Sequence, residues 1–344
     1  MEEETLHDDT LVVAPNWVGD TVLALPVIEA LAASGRRPVV AARRHLHPLL
    51  HLVPAVADVV EKSASDREAI ENLRRLGCAE AIVLPNSFHS AWLPFRAGIP
   101  VRWGYAGNLR SPLLRPAVAR PALRGRHQTE DYRELLEAMG IAPPADWSPR
   151  LEPTPELAQR GKALLARARV RKGGGPLIGI FPGAEFGPSK RWPWQRFAMV
   201  IRELRNRTPA IRCLILAGPK EVWLAVRIYE ETAKLHPVVG PDLDLADLAA
   251  ALSRLDLLVT NDSGPMHLAA ALGVPCLALF GPTDPARTRP QGNRHRVLYT
   301  DRWCSPCFQR RCPLLHHRCL RELEVDQVVD GAARMLDRPS HRSS

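Results

Sequence analysis

Short apolar runs alternate with amphipathic segments along most of the chain. In the first half each apolar run has the length of a strand, and the first is followed by a helical pattern at about 20–33. The predicted strands lie at residues 10–15, 37–42, 57–61, 80–85 and 100–105. Strands that alternate with helices are typical of a parallel sheet with helices on both faces.

The same alternation restarts after a proline-spaced stretch at 148–156 and a glycine-rich segment at 172–176, which we interpret as a hinge. Predicted strands follow at 177–183, 212–218, 256–260 and 275–281, and predicted helices at about 194–205, 220–235, 265–272 and 325–336. We therefore expect two doubly wound α/β domains. They are placed at 1–150 and 176–344, with a linker at 151–175 and a cysteine-rich tail segment at 304–319 in the second.

Length and composition agree with this organisation and exclude several classes of protein. A chain of 344 residues is long enough for about two domains. With 46% hydrophobic and 24% charged residues, it is neither disordered nor collagen-like. The N-terminus, MEEETLHDD, is acidic, unlike a secretory signal, and no apolar run approaches the roughly 18 residues of a membrane span. We expect a cytoplasmic protein.

The charge of the chain is positive and unevenly distributed. Lys and Arg exceed Asp and Glu by 46 to 37, a net charge of +9 that favours an anionic partner. An acid-free stretch, 90–127, carries arginines 96, 102, 110, 115, 120, 124 and 126 among aromatic residues. It is either a solvated surface or a docking face for an anionic acceptor or a membrane. No RNP, zinc-finger or helix-turn-helix signature accompanies it, so nucleic acid is the less favoured partner.

In doubly wound sheets, ligands bind beyond the carboxyl ends of the strands, so the residues after each apolar run are informative. After the first run, Gly19 permits close approach of a ligand. Asp20 has two interpretations at this point. It caps the following helix, or it faces the ligand as a carboxylate that takes a proton from an alcohol.

The segment 182–193, PGAEFGPSKRWP, joins a predicted strand to a predicted helix. A flexible basic loop that runs into a helix N-terminus suits a phosphate group, and Lys190 adds a point charge. The spacing is not that of a Walker loop. The alternative is a solvated basic turn.

The segment 261–275, NDSGPMHLAAALGVP, has a similar position after another strand. Asp262 or Ser263 can cap the helix, and Gly264 lets a ligand approach the free amides there, which form a second anion site. A carboxylate would repel a diphosphate, so we assign Asp262 to hydroxyl groups. His267 lies within the first turn and is expected near the ligand.

Four cysteines, Cys304, Cys307, Cys312 and Cys319, crowd near the C-terminus with His316 and His317 among them. Their spacing, C-x2-C-x4-C-x6-C, is dense enough for a zinc ion or an iron–sulfur cluster but does not match the common two-knuckle zinc patterns. Local disulfides and reduced thiols therefore remain open. A four-ligand site would be structural because it leaves no open position for catalysis.

Together these segments resemble the bacterial lipopolysaccharide heptosyltransferases, most closely those that add the second heptose of the core. The resemblance rests on NWVGDTVLALPVIEAL, PGAEFGPSKRWPWQRFA, TNDSGPMHLAAALGVPCLALFGPTDP and CSPCFQRRCPLLHHRC. It implies a GT-B fold, in which two Rossmann-like domains face each other across a cleft. The C-terminal domain would bind ADP-L-glycero-β-D-manno-heptose, and the N-terminal domain would bind the anionic lipid A–core acceptor.

The family resemblance also implies a reaction and its residues. Transfer inverts the anomeric carbon and needs no catalytic metal or other cofactor. Asp20 would deprotonate the attacking hydroxyl of the first heptose, and Lys190 would stabilise the ADP leaving group. The implied donor-binding residues are Gly183, Ser189, Lys190, Glu221 at the ribose, Asp262, Ser263, Gly264 and His267. Those implied for the acceptor are Asn16, Trp17 and Gly19.

The resemblance further implies a place in the cell and leaves two alternatives. Such an enzyme would associate peripherally with the cytoplasmic face of the inner membrane and would have no nucleic-acid partner. One alternative is a family member that adds the first or the third heptose. The other, from a different class, is a basic nucleic-acid-binding protein with a metal-bound cysteine tail, for which salt-dependent binding would be the sign.

Overall fold

The computed structural model describes residues 9–63, 65–122, 125–170, 173–240 and 242–337. The chain divides into two compact units, Met1–Pro149 and Arg150–Ser344. Most of the acidic N-terminus, Arg124 and part of the predicted hinge lie outside the described residues. Within the described ranges, no helix is both long and apolar enough to cross a membrane.

The first unit is built on a six-stranded sheet of parallel neighbours in the order β3-β2-β1-β4-β5-β6. Its strands are β1 Asp9–Val13, β2 Arg37–Ala42, β3 Asp58–Glu61, β4 Glu80–Val83, β5 Val101–Tyr105 and β6 Ala117–Val118. Its helices are α1 Val18–Leu23, α2 Leu25–Ala33, α3 His47–Leu50, α4 Asp66–Arg75, α5 Phe88–Arg96 and α6 Gln128–Ala138.

The second unit repeats this plan, with a parallel sheet in the order β12-β11-β10-β7-β8-β9. Its strands are β7 Leu177–Phe181, β8 Arg212–Leu216, β9 Val238–Val239, β10 Leu257–Asn261, β11 Cys276–Phe280 and β12 Arg296–Tyr299. Its helices are α7 Pro155–Arg167, α8 Trp194–Arg207, α9 Val222–Glu231, α10 Leu245–Leu252, α11 Gly264–Ala271, α12 Pro285–Thr288, α13 Arg318–Arg321 and α14 Val325–Leu336.

Each sheet has one position at which its connections reverse direction. In the first unit the chain leaves β1 toward β2 and leaves β4 toward β5, so the reversal lies between the paired strands β1 and β4. In the second it lies between β7 and β10. Loops diverge at such a reversal and leave a crevice beyond the strand ends. The doubly wound α/β domains predicted from the sequence are therefore confirmed, and each has one natural ligand position.

The apolar runs became strands because central parallel strands are covered on both faces. All five residues of β7, β10 and β11 are buried, as are four of the five in β1. Three strands were not predicted: β6, β9 and β12. Each contains only two to four residues, lies at a sheet edge and is not part of a long apolar run.

The helix expected at 20–33 is two helices, α1 and α2, that meet at Ala24. Pro26 lies in the first turn of α2 and has no N–H, so it cannot continue the hydrogen-bond ladder of α1. The last helix, α14, packs against α8, β10 and β11, so it completes the second unit.

The segment predicted as a linker, 151–175, contains helix α7, which packs against α10 of the second unit. The two helices approach very closely at Gly161, where an added Cβ would lie 2.4 Å from the carbonyl oxygen of Ala250. Leu151 N also donates a hydrogen bond to Ala271 O at 2.9 Å. These contacts attach much of the segment to the second unit.

We predict that Gly161→Ala lowers stability, although alanine normally stabilises a helix interior by about 1 kcal/mol relative to glycine. The added methyl group would push α7 away from the Ala250 carbonyl, and overpacking of this kind costs about 1–3 kcal/mol. Urea unfolding of the whole chain measures the effect. Ala163→Gly, at an exposed site of the same helix, measures the difference in helix propensity between alanine and glycine without the packing effect. An increase in stability on Gly161→Ala would contradict the close packing.

Candidate functional site

The crevice of the second sheet lies beyond β7 and β10, which pair directly. The segment 182–193 follows β7 and leads into α8, and Asp262 and Ser263 connect β10 to α11. Two segments predicted independently from the sequence to bind phosphate thus begin at neighbouring strand ends. This arrangement follows from the strand order alone.

An ion pair joins the two segments. Lys190 Nζ lies 2.5 Å from Asp262 Oδ2, and both side chains are largely buried, with exposures of 13% and 4%. Thr283, in the loop after β11, donates its hydroxyl to the same Oδ2 at 2.6 Å. The Lys190 ammonium also lies 4.8 Å from the centroid of the Phe186 ring, a cation–π contact. The cation is therefore held at a defined place at the end of β10.

The N-terminus of α11 opens beside this pair. Ser263 is the N-cap residue, but its side chain makes no capping hydrogen bond; its hydroxyl lies 3.2 Å from that of Thr260. An uncapped N-terminus presents backbone amides and the positive end of the helix dipole. Ser263 and Gly264 therefore have the surroundings expected of an anion site.

Asn261, the last residue of β10, holds both ends of the 182–193 segment. Its fully buried side chain accepts a hydrogen bond from Trp192 N at 3.1 Å and donates to Pro182 O at 2.7 Å. Sequence reasoning overlooked this residue, although an amide within an apolar strand is a signal. A buried amide is costly unless its hydrogen bonds are satisfied, and here they fix the loop that carries Lys190.

Glu221, predicted to meet a ribose hydroxyl, makes its hydrogen bonds within the loop. It is buried, and its Oε1 accepts from Ala184 N at 2.7 Å and from Arg191 Nη2 at 2.8 Å. Its Oε2 lies 2.3 Å from the place where a Cβ on Gly183 would stand. The carboxylate therefore braces the inside of the loop, and Gly183 is the residue that makes room for it.

Ser189 and His267 are also less accessible than predicted. The Ser189 hydroxyl donates to Gln309 O at 2.5 Å, and Ser189 N donates to Arg310 O at 3.3 Å. The side chain is thus directed toward the cysteine-rich segment, and its expected contact with the donor stays a prediction. His267 is buried and lies in the first turn of α11, as expected, while its contact with the donor stays a prediction.

In the first unit, Asp20 lies in the first turn of α1, at the carboxyl end of β1. The N-cap residue is Trp17, so the capping interpretation of Asp20 is wrong. The carboxylate is partly exposed, and its Oδ1 accepts from Gln128 Nε2 at 3.0 Å. Gln128 Nε2 also donates to Tyr132 OH at 2.9 Å, which orients the amide.

The other predicted acceptor residues lie around the same turn. Asn16 and Trp17 are exposed, and Gly19 lies within the first turn of α1. Lys62, which the sequence analysis missed, donates from Nζ to Asn16 Oδ1 at 2.9 Å and to Ala14 O at 2.6 Å. Burial, with a smaller contribution from Arg43, lowers the pKa of Lys62 to about 8. Lys62 is a single lysine after a short strand and belongs to no sequence motif, so the sequence gives no signal that would identify it.

Part of the acid-free stretch at 90–127 is not a surface. Arg102 and Arg110 are buried and donate to backbone carbonyl groups, Arg102 Nε to Leu113 O at 2.6 Å and Arg110 Nε to Tyr105 O at 2.8 Å. Burial, with Arg120 nearby, lowers the pKa of Arg110 to about 10. Among the arginines of this stretch that the structure describes, Arg96, Arg115 and Arg120 are exposed and Arg126 is half-buried.

The four tail cysteines are free thiols that line one small cavity together with His316 and His317. Burial and the neighbouring thiols, chiefly that of Cys307, raise the pKa of Cys319 to about 11. Across the part of the chain that the structure describes, no group of three or more Cys, His, Asp or Glu side chains is placed so that it could hold a metal ion. The structure therefore brings the four residues together without fixing their chemistry.

Comparison with known proteins agrees with this geometry. The model of glycosyltransferase family 9 (heptosyltransferase) matches residues 67–317. The chain is 33% identical over 303 residues to lipopolysaccharide heptosyltransferase 2 of Salmonella typhimurium, with 84% of this chain and 87% of that protein covered. Lipooligosaccharide heptosyltransferase 2 of Haemophilus influenzae is 32% identical over 307 residues, with the same coverage.

A solved structure extends the similarity to the fold. The structure of E. coli ADP-heptose lps heptosyltransferase II matches with a TM-score of 0.82 at 27% identity, and the match covers 95% of this chain and 98% of that chain. The predicted fold class, with two Rossmann-like α/β domains of the GT-B type, is confirmed.

We predict that Gly183→Ala destabilises the second unit, because its methyl group would displace the Glu221 carboxylate from the loop. The expected loss is about 1–3 kcal/mol in the free energy of unfolding, measured in urea. Gly218→Ala is the matched control, since a Cβ there would lie at an ordinary 3.7 Å from Glu221 Oε2. Equal effects of the two substitutions would argue against the bracing role of Glu221.

We predict that the lowered pKa of Lys62 makes the free energy of unfolding depend on pH. Its pKa is about 8 in the folded protein and near 10.4 in an unfolded chain, so the unfolded state binds more protons between these values. The contribution of this group to stability therefore rises with pH across that window, by about 1–3 kcal/mol. In urea unfolding at pH about 7.5, 9 and 10, the free energy of unfolding of wild type should rise with pH relative to that of Lys62→Met. A constant difference would refute the buried-lysine assignment.

Proposed function

This chain is a member of glycosyltransferase family 9, the heptosyltransferases, and from that premise we propose the reaction that it catalyses. The enzyme transfers heptose from ADP-L-glycero-β-D-manno-heptose to the first heptose of the lipopolysaccharide inner core. Transfer inverts the anomeric carbon, and neither a metal nor another cofactor takes part in the chemical step.

The observation that carries the proposal is the Lys190–Asp262 pair beside the uncapped N-terminus of α11. A sugar nucleotide leaves as a diphosphate, which needs compensation for its growing negative charge. Lys190 supplies a fixed positive charge, and the amides at Ser263 and Gly264 supply oriented dipoles. The resemblance of these segments to the heptosyltransferases supports ADP as the departing group.

Asp20 is the proposed general base. Its carboxylate takes the proton of the attacking acceptor hydroxyl, the oxygen forms the new bond to the anomeric carbon, and the bond to the diphosphate breaks. The electron pair leaves with ADP. Gln128 acts as a positioning residue through its hydrogen bond to Asp20 Oδ1. Asn16, Trp17 and Gly19 line the acceptor side of the same turn.

We assign two roles to Asp262, one for each of its carboxylate oxygens. Oδ2 holds the Lys190 ammonium, and we assign Oδ1 to a hydroxyl of the donor heptose. The ion pair with Lys190 neutralises the negative charge of Asp262, which would otherwise repel a nearby phosphate group. The remaining donor-site residues act indirectly. The shape of the 182–193 loop is fixed by Gly183, Ser189 and Glu221, and His267 packs at the start of α11.

The acceptor carries an anionic lipid, so we also propose peripheral contact with the inner membrane surface on the cytoplasmic side. In the first unit, the exposed Arg96, Arg115 and Arg120 provide positive charge. Phe95 and Leu109 provide exposed apolar surface, with exposures of 43% and 89%. Basic residues attract anionic headgroups, and apolar side chains enter the interface. No nucleic-acid partner is proposed.

A related enzyme that adds the first or third heptose is the alternative. Acceptors that end in Kdo, in one heptose or in two heptoses separate the three reactions. Transfer with ADP-heptose only to the one-heptose acceptor supports the proposal. Transfer to another acceptor, but not to this one, would replace it with the corresponding member of the family.

We predict that Asp20→Asn lowers kcat by about 10²–10⁴-fold, the usual contribution of a general base, while ADP affinity changes little. Turnover is measured with the one-heptose acceptor, and ADP binding by calorimetry. Glu130→Gln is the matched control, because it removes an acid from the first turn of another helix of the same unit, α6. Wild-type turnover by Asp20→Asn would exclude Asp20 as the base.

Lys190→Met should weaken ADP binding by about 10–100-fold, since a charge-assisted hydrogen bond contributes about 1.5–3 kcal/mol. Turnover should fall at least as much. Lys220→Met is the control, because that lysine is exposed and pairs with Glu185 on the rim of the same region. If both variants kept wild-type ADP affinity, a direct contact between Lys190 and phosphate would be ruled out.

A further inference from the structure

The segment 304–319 runs along two loops of the second unit. Cys307 N and Phe308 N both donate to Pro282 O, at 3.0 and 2.8 Å. On the other side, Gln309 and Arg310 accept hydrogen bonds from Ser189 through their carbonyl oxygens. The backbone that carries the cysteines is therefore fixed by the loop after β11 and by the loop that bears Lys190.

All four cysteines contribute to the wall of a single cavity of about 20 Å³. Such a space holds about one water molecule, so it suits one ion and is too small for an iron–sulfur cluster. As they stand, these side chains do not form a set of metal ligands. Each cysteine side chain has one torsion angle, and the proposed site requires rotation about Cα–Cβ to turn the four sulfurs toward the cavity. Four inward sulfurs around one point are the tetrahedral set that zinc and iron accept.

The charge of the surrounding segment complements such a site. A divalent ion bound by four thiolates carries a net charge of −2, and that charge needs compensation. Between Asp301 and Glu322 the chain contains no acid, and its arginines are Arg302, Arg310, Arg311, Arg318 and Arg321. This acid-free stretch, which the transfer reaction does not explain, is suited to an anionic metal–thiolate centre.

We propose that Cys304, Cys307, Cys312 and Cys319 bind a single thiophilic divalent ion, Zn²⁺ or Fe²⁺, in a structural tetrathiolate site. Binding releases the four thiol protons and forms four metal–sulfur bonds, with no change in oxidation state. His316 and His317 lie around the site, where His316 Nδ1 already accepts from Arg318 N at 3.0 Å.

The site would stiffen the loop that carries Lys190. At Gly187 that loop passes so close to the segment that an added Cβ would stand 2.5 Å from Arg310 O. Arg310 also lies over the Phe186 ring, with its guanidinium carbon 5.6 Å from the ring centroid. Lys190 makes its cation–π contact with the same ring. Metal binding therefore acts through the segment backbone on the position of the cation.

The test measures metal directly. The full chain is produced in medium that contains both zinc and iron, purified under reducing, oxygen-free conditions without chelators, and analysed by elemental mass spectrometry. We expect about one ion per chain. The ratio of zinc to iron identifies the ion, and oxidation of a bound iron would add visible thiolate absorption that zinc lacks.

Two variants and a control assign the ligands. Cys307→Ser and Cys312→Ser should each retain less than about a tenth of the metal, since loss of one ligand opens the site. Cys78→Ser, which changes a buried thiol of the first unit, should retain all of it. Because the variants themselves can unfold, wild type is also stripped with a chelator and refilled with Zn²⁺ or Fe²⁺, and its melting temperature is followed in both states.

Protein that holds no metal as purified, takes up none on addition of Zn²⁺ or Fe²⁺, and retains four titratable tail thiols would overturn the proposal. Disulfides among these cysteines, found by mass spectrometry of the freshly purified protein, would overturn it as well. A several-fold loss of ADP affinity on stripping is expected too. That last effect rests on the proposed function, whereas the metal content stands without it, so the two failures are distinguishable.

Discussion

The buried ion pair between Lys190 and Asp262 is the interaction on which the rest of the second unit's site depends. Removing two charges from water is expensive, and such a pair is tolerated only where the geometry is good and further hydrogen bonds complete it. Thr283 supplies one of these bonds, and the ring of Phe186 covers the cation. Losing either partner would leave an unpaired buried charge, which typically costs about 3–5 kcal/mol.

The surrounding structure can be understood as the support of that pair. Asn261 closes the loop at both ends, Glu221 braces it from the inside, and Ser189 ties it to the cysteine-rich segment. None of these three side chains needs to meet a ligand. They are buried polar groups that hold one cation in place. Under the proposed function, a displacement of that cation by about 1 Å would be enough to impair catalysis.

Much of the fold, and the clustering of the candidate site residues at the strand ends, could be predicted from the sequence. Central strands such as β7 and β10 are continuous apolar runs, because parallel strands are buried on both faces, and the segments that follow them are then placed by topology. The break at Ala24 depends on one proline and was missed. Three of the four edge strands, β6, β9 and β12, were missed as well, because they are short and depend on pairing at the sheet edge.

The partners of the site residues could not be predicted in the same way. Spacing shows which residues share a loop, but not that Ser189 turns toward Gln309 or that Glu221 faces Gly183, because these contacts join segments far apart in sequence. The basic stretch at 90–127 misled for the same reason, since the carbonyl groups that accept from Arg102 and Arg110 are visible only in the fold.

A double-mutant cycle on ADP affinity tests most directly whether Asp262 acts on the donor by holding Lys190. Calorimetry on wild type, Lys190→Met, Asp262→Asn and the double variant gives the coupling free energy between the two side chains. If the account is correct, each single variant binds ADP more weakly and the double variant is no weaker than Lys190→Met alone. Losses that simply add would show that the two residues act independently and would contradict the account.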